Sequence, residues 1–132
     1  MLYLIILLFI IIIFVWLFLL LKFSKGKKLN SKDLYLIEKN IKKVLLSSSS
    51  KEKIVDFDKL YHNLLKMIWY KWTFWEILKS KPSEIDDLDM IWELHKIRNK
   101  LVHDFDLLSE NTLRKKSKEY EKELNILLSK LK

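Results

Sequence analysis

Residues 92–104 of this chain, WELHKIRNKLVHD, hold the residue types that can handle a phosphate. Arg98, Asn99 and His103 stand there as R-N-x-x-x-H. They offer a guanidinium for charge, an amide for orientation and an imidazole for proton transfer. Arg98 is singled out a second time by composition. Of the 25 basic residues only Arg98 and Arg114 are arginine, and the rest are lysine. A chain that writes lysine wherever a point charge serves is asking, at position 98, for the planar five-donor fork. The alternative is an arginine paired with a helix carboxylate for purely structural reasons.

On an ideal helix His95, Asn99 and His103 follow at i, i+4 and i+8, nearly one stripe. Arg98 lies five positions before His103, about 140° around the axis. The two heads therefore converge only over the helix end, or where a partner helix closes the gap. His103, followed by Asp104, falls where the helix is expected to stop. A cationic imidazole there gains roughly 0.3–1 kcal/mol from the exposed carbonyls, which is itself a structural reason for a histidine. His95 and His62 read as packed or surface histidines, with His95 and Asp104 as supporting candidates for the motif. Asp58 is the remaining candidate. It falls on an otherwise apolar stripe, where an unpaired carboxylate is costly to bury. If its helix packs on the motif helix, Asp58 meets Arg98.

The elements that must position these residues are helical. One Gly, one Pro and no sustained period-two alternation leave little room for strands. Asn30 or Ser31 can cap a helix from Lys32 carrying Leu34, Ile37, Ile41, Val44 and Leu45. Ser47–Ser50 makes a turn. A second helix runs from about Glu52 to Trp69, with Val55, Asp58, Leu60, Tyr61, Leu64, Leu65 and Ile68 on its stripe. Thr73-x-x-Glu76 has capping-box spacing and opens a short third helix through Lys79. Lys81-Pro82-Ser83 breaks the chain. A fourth helix runs to Val102 or His103, and Ser109 caps a last one whose Leu113, Ser117, Tyr120, Leu124, Leu127 and Leu131 step by four and three. About 100 residues in four or five short-connected helices predict an all-α antiparallel bundle with one modest core.

Residues 1–21 carry no charge. As a helix they would be roughly 31 Å long, close to the ~30 Å hydrocarbon core of a bilayer. They lack the basic n-region and small-residue cleavage site of a signal peptide. The expectation is therefore a single transmembrane helix at 1–21, a basic juxtamembrane linker at 22–30 and a helical domain at 31–132. Lys22, Lys25, Lys27, Lys28 and Lys32 follow the apolar run. They place the N-terminus outside and the C-terminal domain in the cytoplasm, with the lysines against anionic lipid headgroups. The absence of Cys fits a reducing compartment. The apolar run has no Gly, Ala or Ser for close helix pairing, so dimerisation would fall to the bundle.

The net charge of +8 is mostly those five lysines. Without them the chain has 20 basic and 17 acidic residues, too even for a general nucleic-acid patch. Residues 114–118, RKKSK, form the one dense basic run of the domain and read as a solvated helix face. A single Gly rules out a glycine-rich phosphate loop, and no zinc spacing or nucleophile elbow is present. No metal and no cofactor is expected. The aromatic segment 67–78, MIWYKWTFWEIL, leaves three readings for Trp69, Trp72, Phe74 and Trp75. They are bundle core, bilayer interface, or base stacking, for which Lys71 is the one interleaved basic residue.

These residues resemble a family. Residues 98–103, RNKLVH, look like the R-polar-x-x-x-H signature of HEPN domains, helical bundles of RNases and nucleotide-handling modules. Residues 54–65, IVDFDKLYHNLL, are similar to the acidic helix of small bacterial HEPN-like proteins. The Thr73–Leu78 segment, the Trp92–Asp104 helix and the Leu108-Ser109 start of the last helix follow in the same order. The resemblance covers about residues 31–131 and departs from the family in the aromatic 67–78 segment, usually a glycine-containing turn, and in the near-neutral domain charge. It implies a homodimer in which two motifs face each other and cleave RNA without metal. His103 would be the general acid or base, Arg98 would stabilise the charge building on phosphorus, and Asn99 would hold His103 or a phosphate oxygen. The sequence expectation is thus a membrane-anchored HEPN-like domain that binds RNA or nucleotide through Arg98, Asn99 and His103, with metal-independent RNase activity. The alternative is a non-catalytic membrane-tethered adaptor for a protein partner, in which Arg98 pairs with Asp58 and His103 caps its helix.

Overall fold

The computed structural model describes residues 2–23, 28–68, 70–103 and 108–132, with the side chains of 2, 4, 5 and 19–23 left out. It is all-helical: α1 (Leu2–Phe23), α2 (Ser31–Leu45), α3 (Ser50–Met67), α4 (Phe74–Lys79), α5 (Leu88–His103) and α6 (Glu110–Leu131). No strand occurs among the described residues.

Side-chain oxygens start four of these helices. Asn30 accepts from the Asp33 amide, Ser49 from Glu52, Thr73 from Glu76 and Ser109 from Thr112. Each satisfies one amide that the first turn cannot pair internally. Around Thr73 the box is reciprocal, because the Glu76 carboxylate accepts the Thr73 amide at 2.9 Å. The Thr73-Glu76 spacing therefore acts as the sequence predicts.

α3 is the hub of the bundle and packs on α2, α5 and α6. Its Ile54, Phe57, Tyr61, Leu64 and Leu65 are fully buried, against Leu94 of α5 and Tyr120 and Leu124 of α6 in one core. Direction follows from paired contacts. Ser50 meets Glu110 and Asp58 meets Tyr120, so α3 and α6 run the same way. The Leu29 amide bonds the Leu131 carbonyl at 2.9 Å, which sets the start of α2 beside the end of α6. The alternation is antiparallel along the chain, and the parallel α3–α6 pair is its centre.

The transmembrane expectation is corrected. Among the described residues no helix is long and apolar enough to cross a membrane. In α1 the described side chains are those of Tyr3 and Ile6–Phe18. Those side chains are all exposed. The single-pass topology with a cytoplasmic domain loses its premise with the span. Of the lysines assigned to a membrane surface, Lys28 and Lys32 are exposed. Lys25 and Lys27 lie outside the described residues, as does the side chain of Lys22.

Candidate functional site

Asp58 organises the polar centre of the bundle. It sits one helical turn beyond Ile54 on the core side of α3 and is only 4% exposed. A carboxylate so buried must be hydrogen-bonded or paired. Three side chains from two other helices do this. His95 Nδ1 donates to Asp58 Oδ1 at 2.7 Å, and the Tyr120 hydroxyl donates to the same oxygen at 2.7 Å. Arg98 Nε stands 3.5 Å from Oδ2.

Two further bonds close a ring. Arg98 Nη1 donates to Asn99 Oδ1 at 2.9 Å, and Asn99 Nδ2 lies 3.3 Å from His95 Nε2. One proton assignment fits the His95, Asn99 and Arg98 Nη1 bonds, and the ring closes on Asp58 through an ion pair. Arg98 fixes the Asn99 amide with its oxygen inward, so the amide nitrogen donates to Nε2, and the imidazole proton is on Nδ1, facing Asp58. The ring runs Asp58–His95–Asn99–Arg98 and back to Asp58.

Aromatic side chains wall this ring. Phe74 meets His95 edge-on at 4.7 Å and stacks on His62 at 5.2 Å. Tyr61 lies 6.0 Å from Phe74 and 6.1 Å from Tyr120. Burial, followed by the Asp58 charge, pushes the Tyr120 hydroxyl well above the usual phenol range, so it stays a donor. Burial lowers the His62 pKa from the ordinary histidine value, against a Trp72 carbonyl 3.1 Å from its Nε2.

The motif residues separate in this setting. Arg98 and Asn99 enter the ring. His103 is the last residue of α5, exposed, with no hydrogen bond or ion pair among the described residues. Asp104 lies outside the described residues. Within one chain Arg98 thus turns to α3 while His103 faces solvent. The Asp58–Arg98 proximity was legible as an expectation; the central place of His95 was not, because a buried histidine gives the same sequence signal whether packed or bonded. Tyr120 appears in the sequence only as a core position on the last helix. Its hydroxyl could have been suspected from the other side, since a buried Asp58 needs donors.

Arg98 Nε is buried and has no hydrogen-bond acceptor among the described residues, since its approach to Asp58 lacks the required geometry. The Arg98 side chain keeps 26% of its surface exposed. No group of three or more His, Asp or Glu side chains able to hold a metal occurs among the described residues. A surface hollow of about 700 Å³ between α2 and α3 is lined by Asn40, Lys43, Asp56, Lys59 and Asn63 among others, and by none of the motif residues.

The aromatic segment is divided. Phe74 is core at 4% exposure, whereas Trp72 and Trp75 are 56% and 47% exposed. Trp69 lies outside the described residues. Comparison with protein-family models, curated proteins and solved structures finds no match for this chain.

Proposed function

We propose that the bundle is a HEPN-like module that engages an RNA or nucleotide phosphate through Arg98, Asn99 and His103, as a homodimer, with metal-independent RNA cleavage as its chemistry. One observation carries this reading: the arginine fork is not closed on Asp58. A purely structural arginine gains most from two parallel bonds to its carboxylate. Here Asp58 Oδ1 takes its short bonds from His95 and Tyr120, and Arg98 approaches at 3.5 Å through a single nitrogen. Arg98 is therefore oriented by the carboxylate without being consumed by it, and its partly exposed side can meet a phosphate oxygen.

The chemistry follows from that placement. The ribose 2′-hydroxyl attacks the adjacent phosphorus, the bond to the 5′-oxygen breaks, and a 2′,3′-cyclic phosphate and a 5′-hydroxyl result. Arg98 offsets the charge that builds on the phosphoryl oxygens. The exposed His103 imidazole takes or gives the proton. Because Arg98 and His103 diverge within one chain, a second copy supplies the facing motif.

The second reading is a non-catalytic adaptor that presents its helices to a protein partner. It is favoured by the Arg98–Asp58 ion pair itself, which gives the arginine a structural role. The test is the full chain incubated with RNA in EDTA, beside Arg98→Ala and His103→Ala. Cleavage to cyclic-phosphate ends that is lost in both, with helicity unchanged in His103→Ala, is expected. Cleavage that survives both substitutions or requires Mg²⁺ rejects the assignment.

A further inference from the structure

The structure brings a second aromatic feature to the motif helix. Trp75 of α4 meets Trp92 of α5 edge-on, with ring centroids 4.4 Å apart. Lys79 Nζ sits 5.2 Å from the centre of the Trp75 ring. Together with Asp89, Glu93 and Lys96 these side chains line a surface hollow of about 480 Å³. In the linear sequence Lys71 is the one base among these aromatics; the fold adds Lys79 and Lys96.

Position on α5 ties this hollow to the motif. Trp92, Lys96, Asn99 and His103 recur at i, i+4, i+7 and i+11, within about 60° of one line on an ideal helix. Asn99 is roughly 10 Å, and His103 roughly 16 Å, along the axis from Trp92. One stripe thus carries the half-buried Trp92, against which the exposed Trp75 of α4 sits, a lysine, an amide and an exposed imidazole.

We propose that the Trp75–Trp92 hollow is a base-stacking subsite for single-stranded RNA, placed beside the phosphate-handling residues. The proposal rests on the reading of Arg98, Asn99 and His103 given above. A nucleobase lies on the exposed face of Trp75, which Lys79 now covers, and Trp92 closes one edge. Stacking on aromatic rings tolerates any base, because each has a π-face. The rim charge fits a base better than a run of phosphates. Lys79 and Lys96 share the lining with Asp89 and Glu93, and with Lys116 on Glu93 at 2.7 Å the rim is only slightly positive. The hollow holds one flat, largely neutral group, and the two lysines reach its flanking phosphates.

The experiment is fluorescence anisotropy of a labelled 2′-O-methyl octa-adenylate, which lacks the attacking hydroxyl, with the full chain, for wild type, Trp75→Ala, Trp75→Phe and Arg98→Ala. Trp75→Ala is expected to weaken binding about tenfold and Trp75→Phe to restore most of it. Unchanged affinity in Trp75→Ala, with binding lost in Arg98→Ala, overturns the subsite and leaves the phosphate site standing. Weakening in Trp75→Ala with none in Arg98→Ala keeps the subsite and removes the phosphate site. No binding by wild type overturns both. Loss of self-association in Trp75→Ala, with oligonucleotide affinity unchanged, assigns the hollow to a second copy and also overturns the subsite.

Discussion

Two charged clusters, one between α5 and α6 and one where α3 meets both, differ in what surrounds them. Around Lys116, Glu93 lies at 2.7 Å and Glu119 at 2.8 Å, with the Glu93 side chain 54% exposed. Bonds to Glu119, then to Glu93, raise the Lys116 pKa from the ordinary lysine value. Around Asp58 the distances are similar, but the carboxylate is enclosed. Water reaches the first cluster through Glu93, although the Lys116 and Glu119 side chains are only 15% and 23% exposed, and reaches Asp58 far less. Equal bond lengths therefore carry unequal consequences, and burial rather than geometry sets them.

The largest effect is expected at the centre of the ring. Asp58→Ala removes the acceptor of His95 and Tyr120 and the counter-charge of Arg98, and should destabilise the bundle by roughly 3–5 kcal/mol. Denaturant unfolding measures it. Asp58→Leu combined with Arg98→Met should recover most of the loss, because an apolar pair needs no partners. A loss below about 1 kcal/mol for Asp58→Ala would place this carboxylate with the surface pairs.

Tyr120→Phe comes next. It keeps the ring packed on Tyr61 but deletes one of two short donors to Asp58, with an expected loss of about 1–2 kcal/mol. Thr73→Ala removes the start of α4 and should cost about 1 kcal/mol. That loss bears on the ring because α4 delivers Phe74 to His95. Lys116→Gln, at the wetter cluster, should change stability by no more than about 1 kcal/mol. If Lys116→Gln proves as costly as Tyr120→Phe, the contrast between the clusters fails.

The sequence carried the helices further than it carried the site. Caps and breakers are local signals. Asn30, the Thr73-Glu76 box, the Ser47–Ser50 turn and Ser109 each mark a boundary within a few residues of themselves, and the structure uses all of them. The apolar run at 1–21 shows the limit of composition, since among the described residues it does not yield a helix long and apolar enough for a membrane. The ring is a tertiary object. Asp58 and His95 are 37 positions apart, and Asp58 and Tyr120 are 62 apart. An acidic residue on an apolar stripe announces that partners exist without naming them. The exposure of Trp75 beside the burial of Phe74 is likewise decided by which face of a six-residue helix meets α3 and α5.

The smallest effect, and the one that tests burial without a partner, concerns Glu123. It lies on α6 among buried residues, and burial, then the nearby charge of Asp87, raises its pKa from the ordinary glutamate value. A raised folded pKa means that the native state holds this proton more tightly than the unfolded chain does. The contribution to stability is therefore full below the unfolded pKa of about 4.3 and is lost as pH rises through the folded value. Glu123→Gln keeps the shape and removes the titration. It should be more stable than wild type at pH 7, and the difference should shrink as pH falls toward the unfolded pKa. Thermal melts of both proteins across that range measure the gap. If Glu123→Gln instead melts lower at pH 7, the carboxylate holds a favourable partner, and Glu123 belongs with Asp58 as a buried charge that the fold has satisfied.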